Sequence, residues 1–187
     1  GVENILALRG DVNPEIPRLH DFEYASDLTA FIKANGDFHV SGACYPEGHL
    51  EAPSIVEDIR NLRHKTDAGA EHLMSQLFFD NSAFYNFREK ALIAGINVPI
   101  EAGIMPVVNK KQIERMVSMC GASLPAKFSK VMQKYENNPE ALRDAGIAYA
   151  VDQIVDLISN GVDGIHLYTM NNPYVARKIS ESIKNLL

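Results

Sequence analysis

Apolar positions fall into two kinds of pattern along this chain. Five short segments are apolar with small residues between, at residues 4–8, 38–44, 72–79, 99–107 and 164–168. Val40, Phe78, Phe79, Val107 and Ile165 supply the β-branched and aromatic types that strands favour. None alternates strictly, which suits strands buried on both faces, the habit of parallel sheets. The intervening segments repeat every three or four residues, as amphipathic helices do. Leu28, Phe31 and Ile32 form one stripe, stopped by Asn35-Gly36. Ile55, Ile59 and Leu62 form the next, ended by Gly69, and Phe84, Phe87, Ala91 and Leu92 another, ended by Gly95. Ile113, Met116 and Val117 follow, ended by Gly121; two more helices are predicted over Ala126–Tyr135 and Pro139–Ser159. Pro173 opens a last one, with Val175, Ile179, Ile183 and Leu186 on one face.

The order is strand–helix repeated five times, with extra helix before the fifth strand. Alternation of this kind means α/β with a parallel sheet. A five-stranded doubly wound sheet and the last five units of an eight-unit barrel both fit, and repeat counting does not choose. The chain enters a strand almost directly after Gly1, which favours the second and points to the later part of a longer polypeptide.

The composition narrows the ligand classes. Of 187 residues, 46% are hydrophobic and 22% charged, as in ordinary globular domains, so one domain over residues 1–187 is expected. A net charge of −6 argues against a broad basic face for nucleic acid. No apolar run approaches the ~20 residues of a membrane span, and no signal peptide is recognisable. Cys44 and Cys120 are isolated, which suits a reducing, cytoplasmic setting, and the six histidines lack metal-ligand spacing, so no metal is expected.

In both architectures ligands gather at the carboxyl ends of strands. All five ends carry polar groups: Arg9-Gly10-Asp11; Tyr45, Glu47 and His49; Gln76; Asn109 and Gln112; and Tyr168, Asn171 and Asn172. Each alone reads as turn, cap or core chemistry. Together they point to one pocket for a large, flat, polar-edged ligand. Asp58, Asn61 and Lys65, at i, i+3 and i+7, share a helix stripe beside the buried one. It is a solvated rim or a binding stripe, with a carboxylate for ribose hydroxyls and an ammonium for a diphosphate. GxGxxG after a strand, a P-loop, HExxH and GxSxG are all absent.

Seven ordered segments make the chain resemble the methylenetetrahydrofolate reductase family. They are LALRGD at 6–11, YASDL at 24–28, YPEGH at 45–49, DAGA at 67–70, QLFFD at 76–80, AGIMPV at 102–107 and YTMN at 168–171. The resemblance implies a (β/α)8 TIM barrel that carries FAD, of which this chain covers strands four to eight. It implies reduction of 5,10-methylenetetrahydrofolate to 5-methyltetrahydrofolate by NADH or NADPH, in one-carbon and methionine metabolism, by a homo-oligomer.

Carried over residue by residue, the family's flavin contacts fall on Arg9, Gly10, Asp11, Ala25, Tyr45, His49, Ala52, Asp58, Asn61, His64 and Lys65. Gln76, Gln112, Tyr168 and Asn172 fall at the folate and nicotinamide pocket. Asp11 would disfavour the anionic reduced flavin and favour the cationic folate electrophile. Two departures are expected to matter. Asn172 stands where the family commonly has an Arg that meets folate. The first three barrel units, which carry the family's proton-donating glutamate, have no counterpart here, so this piece alone should turn over poorly. A non-catalytic flavin- or folate-binding piece, or a subunit completed by a partner, is the alternative; a ligand-free structural domain is a third.

Overall fold

The computed structural model describes residues 1–10, 15 and 21–186. Five strands, β1 (Asn4–Ala7), β2 (His39–Cys44), β3 (His72–Ser75), β4 (Ile100–Ile104) and β5 (Gly164–Leu167), form one parallel sheet in the order β1-β2-β3-β4-β5. This order decides between the two architectures. A doubly wound sheet reverses its strand order to place helices on both faces. Here each crossover steps in the same direction, and right-handed crossovers then put every helix on one face, the winding of a barrel.

The helices are α1 (Ala25–Asn35), α2 (Ile55–Asp67), α3 (Asn81–Ile93), α4 (Lys110–Cys120), α5 (Ala126–Tyr135), α6 (Pro139–Ser159) and α7 (Pro173–Ile183). Their starts follow local chemistry. Ser54 accepts from Glu57 N, Asp80 from Ser82 N, and Asn109, Asn138 and Asn172 cap α4, α6 and α7 in the same way. Pro139 and Pro173 follow two of these caps, where a missing N–H leaves no bond unmade.

Two cores result. The larger lies between the sheet and α2, α3, α6 and α7, around Leu73, Phe78, Phe84, Ile104, Ile154 and Ile179. The second sits at the carboxyl ends of the strands, where Leu77, Phe79, Met105 and Val107 meet Ile113, Phe128, Met132 and Leu142. Phe79 and Phe128 stack at 4.5 Å, and burial of each ring contributes roughly 2–3 kcal/mol. This second core explains why β3 stops at Ser75 although the apolar run continues to Phe79. Beyond Ser75 the backbone turns to α6, whose Tyr149 Oη donates to Phe79 O at 2.7 Å and Gln153 Nε2 to Phe78 O at 3.3 Å.

Asp156 of α6 ties that helix to α3. Its Oδ2 accepts from Asn81 Nδ2 and Tyr85 Oη, both at 2.6 Å. The Asn81 bond, with help from Tyr85, holds the Asp156 carboxyl below its usual range; burial, then Asp156, pushes the Tyr85 phenol up to about 12. A carboxyl depressed on folding stabilises above its unfolded value of about 4, and that share is lost as pH falls through the lower folded value. Asp156→Ala should therefore cost about 1 kcal/mol at neutral pH, given its exposed position, with the difference from wild type shrinking below about pH 4 in thermal melts. A gap that stays constant with pH would rule this clamp out.

Candidate functional site

The sheet face away from the helices carries Ser41, Ala43 and Tyr45 from β2 and its end, His72, Met74 and Gln76 from β3, Glu101 and Gly103 from β4, and Gly164, His166 and Tyr168 from β5. The parallel register places the carboxyl-end members side by side. Tyr168 Oη donates to Ser75 O at 3.0 Å, and its ring lies against Gly103, where a Cβ would meet Tyr168 Cε2 at 2.8 Å. Burial pushes the Tyr168 phenol up to about 12, so it stays a neutral donor at physiological pH.

Gln76 and Gln112 share an arrangement. Gln76 Oε1 accepts from Leu77 N at 2.8 Å, and Gln112 Oε1 accepts from Val108 N at 3.3 Å. Each amide oxygen is thus pinned by backbone, and each NH2 is left as a donor without a partner among the described residues. Asn172 accepts from Val175 N as the cap of α7. Met170 and Asn171 just before it have φ of 49° and 56°, a left-handed pair that turns the loop over the end of β5.

Helix α4 lies across the strand ends. It starts after β4, and beyond its left-handed Gly121 the chain reaches the β2–α2 loop on the far side of β3. There Ser123 N donates to both carboxylate oxygens of Glu47 at 3.1 Å, and Leu50 packs over Gly121. Sequence periodicity showed the helix but not this span, because the contact pairs residues 76 apart.

On the β1–β2 side the predicted cofactor residues divide. Gly10 has φ of 78°, and among the described residues nothing stands within 4 Å of where a Cβ would be. Arg9 makes a bidentate pair with Glu51, at 2.7 and 3.0 Å. Tyr45 and His49 meet edge-to-face at 4.5 Å. Ala25 opens α1 and its carbonyl accepts from Thr29 Oγ1 at 2.8 Å, and Ala52 N donates to His49 O. Asp11 lies outside the described residues.

The α2 stripe also splits. Asn61 and His64 face solvent. Asp58 turns inward, and its Oδ2 accepts from His49 N at 3.1 Å; burial pushes this carboxyl up against the opposing pull of that bond, of His49 and of Lys65. Lys65 donates to Ala43 O at 2.5 Å, its stem lying over Gly42, where a Cβ would come within 2.7 Å of Cδ. Burial pulls the Lys65 ammonium down, while Cys44 and Asp58 oppose the change. The Cys44 thiol is pushed well up by its own burial and is inert.

The donor set suits a flavin dinucleotide. Gly10 offers a backbone without a side chain, Asp58 a carboxylate with spare acceptor capacity, and Tyr45 and His49 flat faces, although Arg9 and Lys65 are engaged within the protein. Among the described residues no His, Cys, Asp and Glu group has metal-centre geometry, and no helix is long and apolar enough to cross a membrane.

One polar row was not foreseen. Ser41 Oγ lies 3.2 Å from His72 Nδ1, His72 Nε2 lies 3.5 Å from Glu101 Oε1, and His166 Nδ1 lies 4.0 Å from Glu101 Oε2. The sequence signal was available: Ser41, His72, Glu101 and His166 sit inside apolar strands, on the face that register makes common. His166, in β5, closes this row.

Fold and site together define a barrel-wound α/β protein with a cluster of polar side chains at the carboxyl ends of its strands. The methylenetetrahydrofolate reductase family model matches residues 1–184, and the chain belongs to that family. It is 37% identical over 183 residues to the 5,10-methylenetetrahydrofolate reductase of Pectobacterium carotovorum and 36% identical to that of Escherichia coli, matching 98% of this chain in each case. The chain spans 61% of the length of these two relatives. In shape it matches an uncharacterized Clostridium thermocellum protein that binds two copies of 5-methyl-5,6,7,8-tetrahydrofolic acid. That match has a TM-score of 0.62 at 16% identity and covers 87% of this chain and 59% of the other, so it speaks for the fold alone.

Proposed function

We propose that this chain is the C-terminal five units of an eight-unit barrel that reduces 5,10-methylenetetrahydrofolate to 5-methyltetrahydrofolate with NADH or NADPH, using FAD. Five units of eight is close to the 61% of relative length that the chain spans. The observation that carries the reading is positional. Along a chain matched to the family from residue 1 to 184, the described cofactor and substrate candidates fall at or beside the carboxyl ends of the strands or along the helix that follows β2.

Bound FAD would supply a two-electron carrier between nicotinamide and folate. Gly10, Tyr45, His49 and Asp58 would hold it, with Ala25 and Ala52 marking close approaches and Asn61 and His64 reaching it from the exposed side of α2. Gln76 and Gln112 would offer their free NH2 groups to carbonyl and ring acceptors of folate or nicotinamide in turn. Tyr168, neutral and tethered to Ser75 O, would wall the pocket and exclude water. Asp11 would disfavour negative charge on the reduced flavin and favour the cationic folate electrophile, which tunes hydride donation.

The test is anaerobic. Yellow protein should bleach on addition of NADH or NADPH and regain its colour when methylenetetrahydrofolate is added. Protein that binds flavin and folate but never bleaches would favour the binding-piece reading instead.

A further inference from the structure

We infer that Ser75 is a positioning residue whose hydroxyl takes over one rung of the β3–β4 ladder, so that its carbonyl is released to tether Tyr168 over the pocket, an inference that rests on the folate reading above for what the pocket holds.

The ladder shows the exchange. Leu73 N donates to Pro99 O at 2.9 Å, and Leu73 pairs with Ile100. Parallel ladders repeat every two residues along each strand, so the next rung requires Gly103 N to donate to Ser75 O. Gly103 N donates instead to Ser75 Oγ at 2.8 Å, and the pairing stops at Met74 and Glu101. The hydroxyl in turn donates to Gln76 O at 3.0 Å. Ser75 O, released from the ladder, accepts from Tyr168 Oη at 3.0 Å. One buried serine thus binds β4, the next residue of its own strand and the end of β5. Gly103 is the matching half, because a Cβ there would run into Ser75 O as well as the Tyr168 ring.

The two residues held are the ones that meet the ligand in the folate reading. Gln76 N donates to Cys44 O at 2.7 Å and Gln76 O accepts from Ser75, so its backbone is fixed on both sides before Oε1 turns back to Leu77 N. Tyr168 N donates to Ile104 O at 2.9 Å, which fixes its backbone and leaves the ring direction to the Ser75 tether. Ser75 is fully buried and points with Leu73 to the helix side of the sheet, so it acts only through these neighbours. In Ser75→Ala the buried Gly103 amide loses its acceptor, and the regular rung to the carbonyl of residue 75 is the bond that rescues it. Closing that rung draws the carbonyl into the sheet plane, away from the phenol on the inner face.

The experiment is a double-mutant cycle of Ser75→Ala and Tyr168→Phe on the protein, read by urea unfolding and by calorimetry with 5-methyltetrahydrofolate. Tyr168→Phe should raise the unfolding constant roughly fivefold in the wild-type background, one hydrogen bond being lost, and leave it unchanged in the Ser75→Ala background. Each single variant should weaken folate binding roughly fivefold, and the double variant no more than either. Ser75→Thr, which keeps the hydroxyl, should bind as wild type does. Ser75→Cys, a weak donor and acceptor, carries the same comparison where Ser75→Ala does not fold. An equal unfolding cost of Tyr168→Phe in both backgrounds would overturn the tether, whatever the pocket binds. Wild-type affinity in Ser75→Ala, or a double variant weakened by the product of the two single losses, would overturn the positioning role while leaving the folate reading intact. Wild type that binds no folate but keeps the unfolding coupling would overturn the folate reading and support the tether.

Discussion

Gly146→Ala should lower the unfolding free energy by about 3 kcal/mol and the melting temperature by roughly 6–12 °C. Helix propensity alone gives the opposite sign, since alanine is favoured over glycine in a helix interior by about 1 kcal/mol. The reversal comes from packing. Gly146 is buried on α6 directly against the backbone that leaves β4, and a Cβ there would run into the carbonyl oxygen of Val107. Both sides of this contact are main chain, so no side chain can swing away. The helix would have to lift as a body, loosening Leu142, Ala150 and Ile154 together. Thermal melts of this variant beside Ala148→Gly, an exposed control on the same helix, would check the sign. A Gly146→Ala protein as stable as wild type would mean that α6 does not seat on Val107 as described.

Lys65→Met should separate stability from ligand binding. The Lys65 ammonium is lodged between α2 and β2, donating to Ala43 O, with Asp58 as its electrostatic counterpart. Burial shifts both groups toward their neutral forms, so their mutual attraction does not offset desolvation. A thioether of similar length should leave the unliganded protein unchanged or about 1 kcal/mol more stable at neutral pH. The sign of the pH dependence is fixed. A lysine depressed on folding carries its charging penalty below the folded value, and the penalty is relieved as pH rises toward the unfolded value near 10.4. The advantage of Lys65→Met should therefore shrink in alkaline solution. Affinity for FAD, under the proposed function, should fall roughly tenfold, because the flavin would draw the Lys65 ammonium from Ala43 O to its diphosphate and the variant has no charge to offer. A less stable variant with unaltered flavin binding would make Lys65 a bracket for β2 and nothing more.

The elements themselves were legible because their punctuation is chemical. Asn138-Pro139 and Asn172-Pro173 announce two helix starts, and Gly121 announces a left-handed end. The winding was not legible. Strand order is a long-range property, and five strand–helix repeats are compatible with either direction of travel across a sheet. The end of β3 was overrun for a related reason: Gln76 to Phe79 look like strand, yet Tyr149 and Gln153, more than seventy residues on, claim the Phe79 and Phe78 carbonyls. At the site, polar strand ends were readable one by one, and their convergence followed from the parallel sheet. The rotation of individual side chains was not. Asp58, Asn61 and Lys65 share a stripe by spacing, but Gly42 leaves room for Lys65 to turn under β2 while Asn61 stays in water. Arg9 likewise met Glu51, a partner forty-two residues away that no local pattern marks.

The row of Ser41, His72, Glu101 and His166 governs what can cover the inner face of the sheet. An apolar surface laid on it would strip water from a carboxylate and two imidazoles, at several kcal/mol for a buried ion. Sheets with bare apolar faces and open edges stack and aggregate; inward charges are one of the ways proteins prevent it. This face therefore discriminates between neighbours: it resists collapse onto another copy of itself and accepts only a covering that brings hydrogen-bonding groups or retained water.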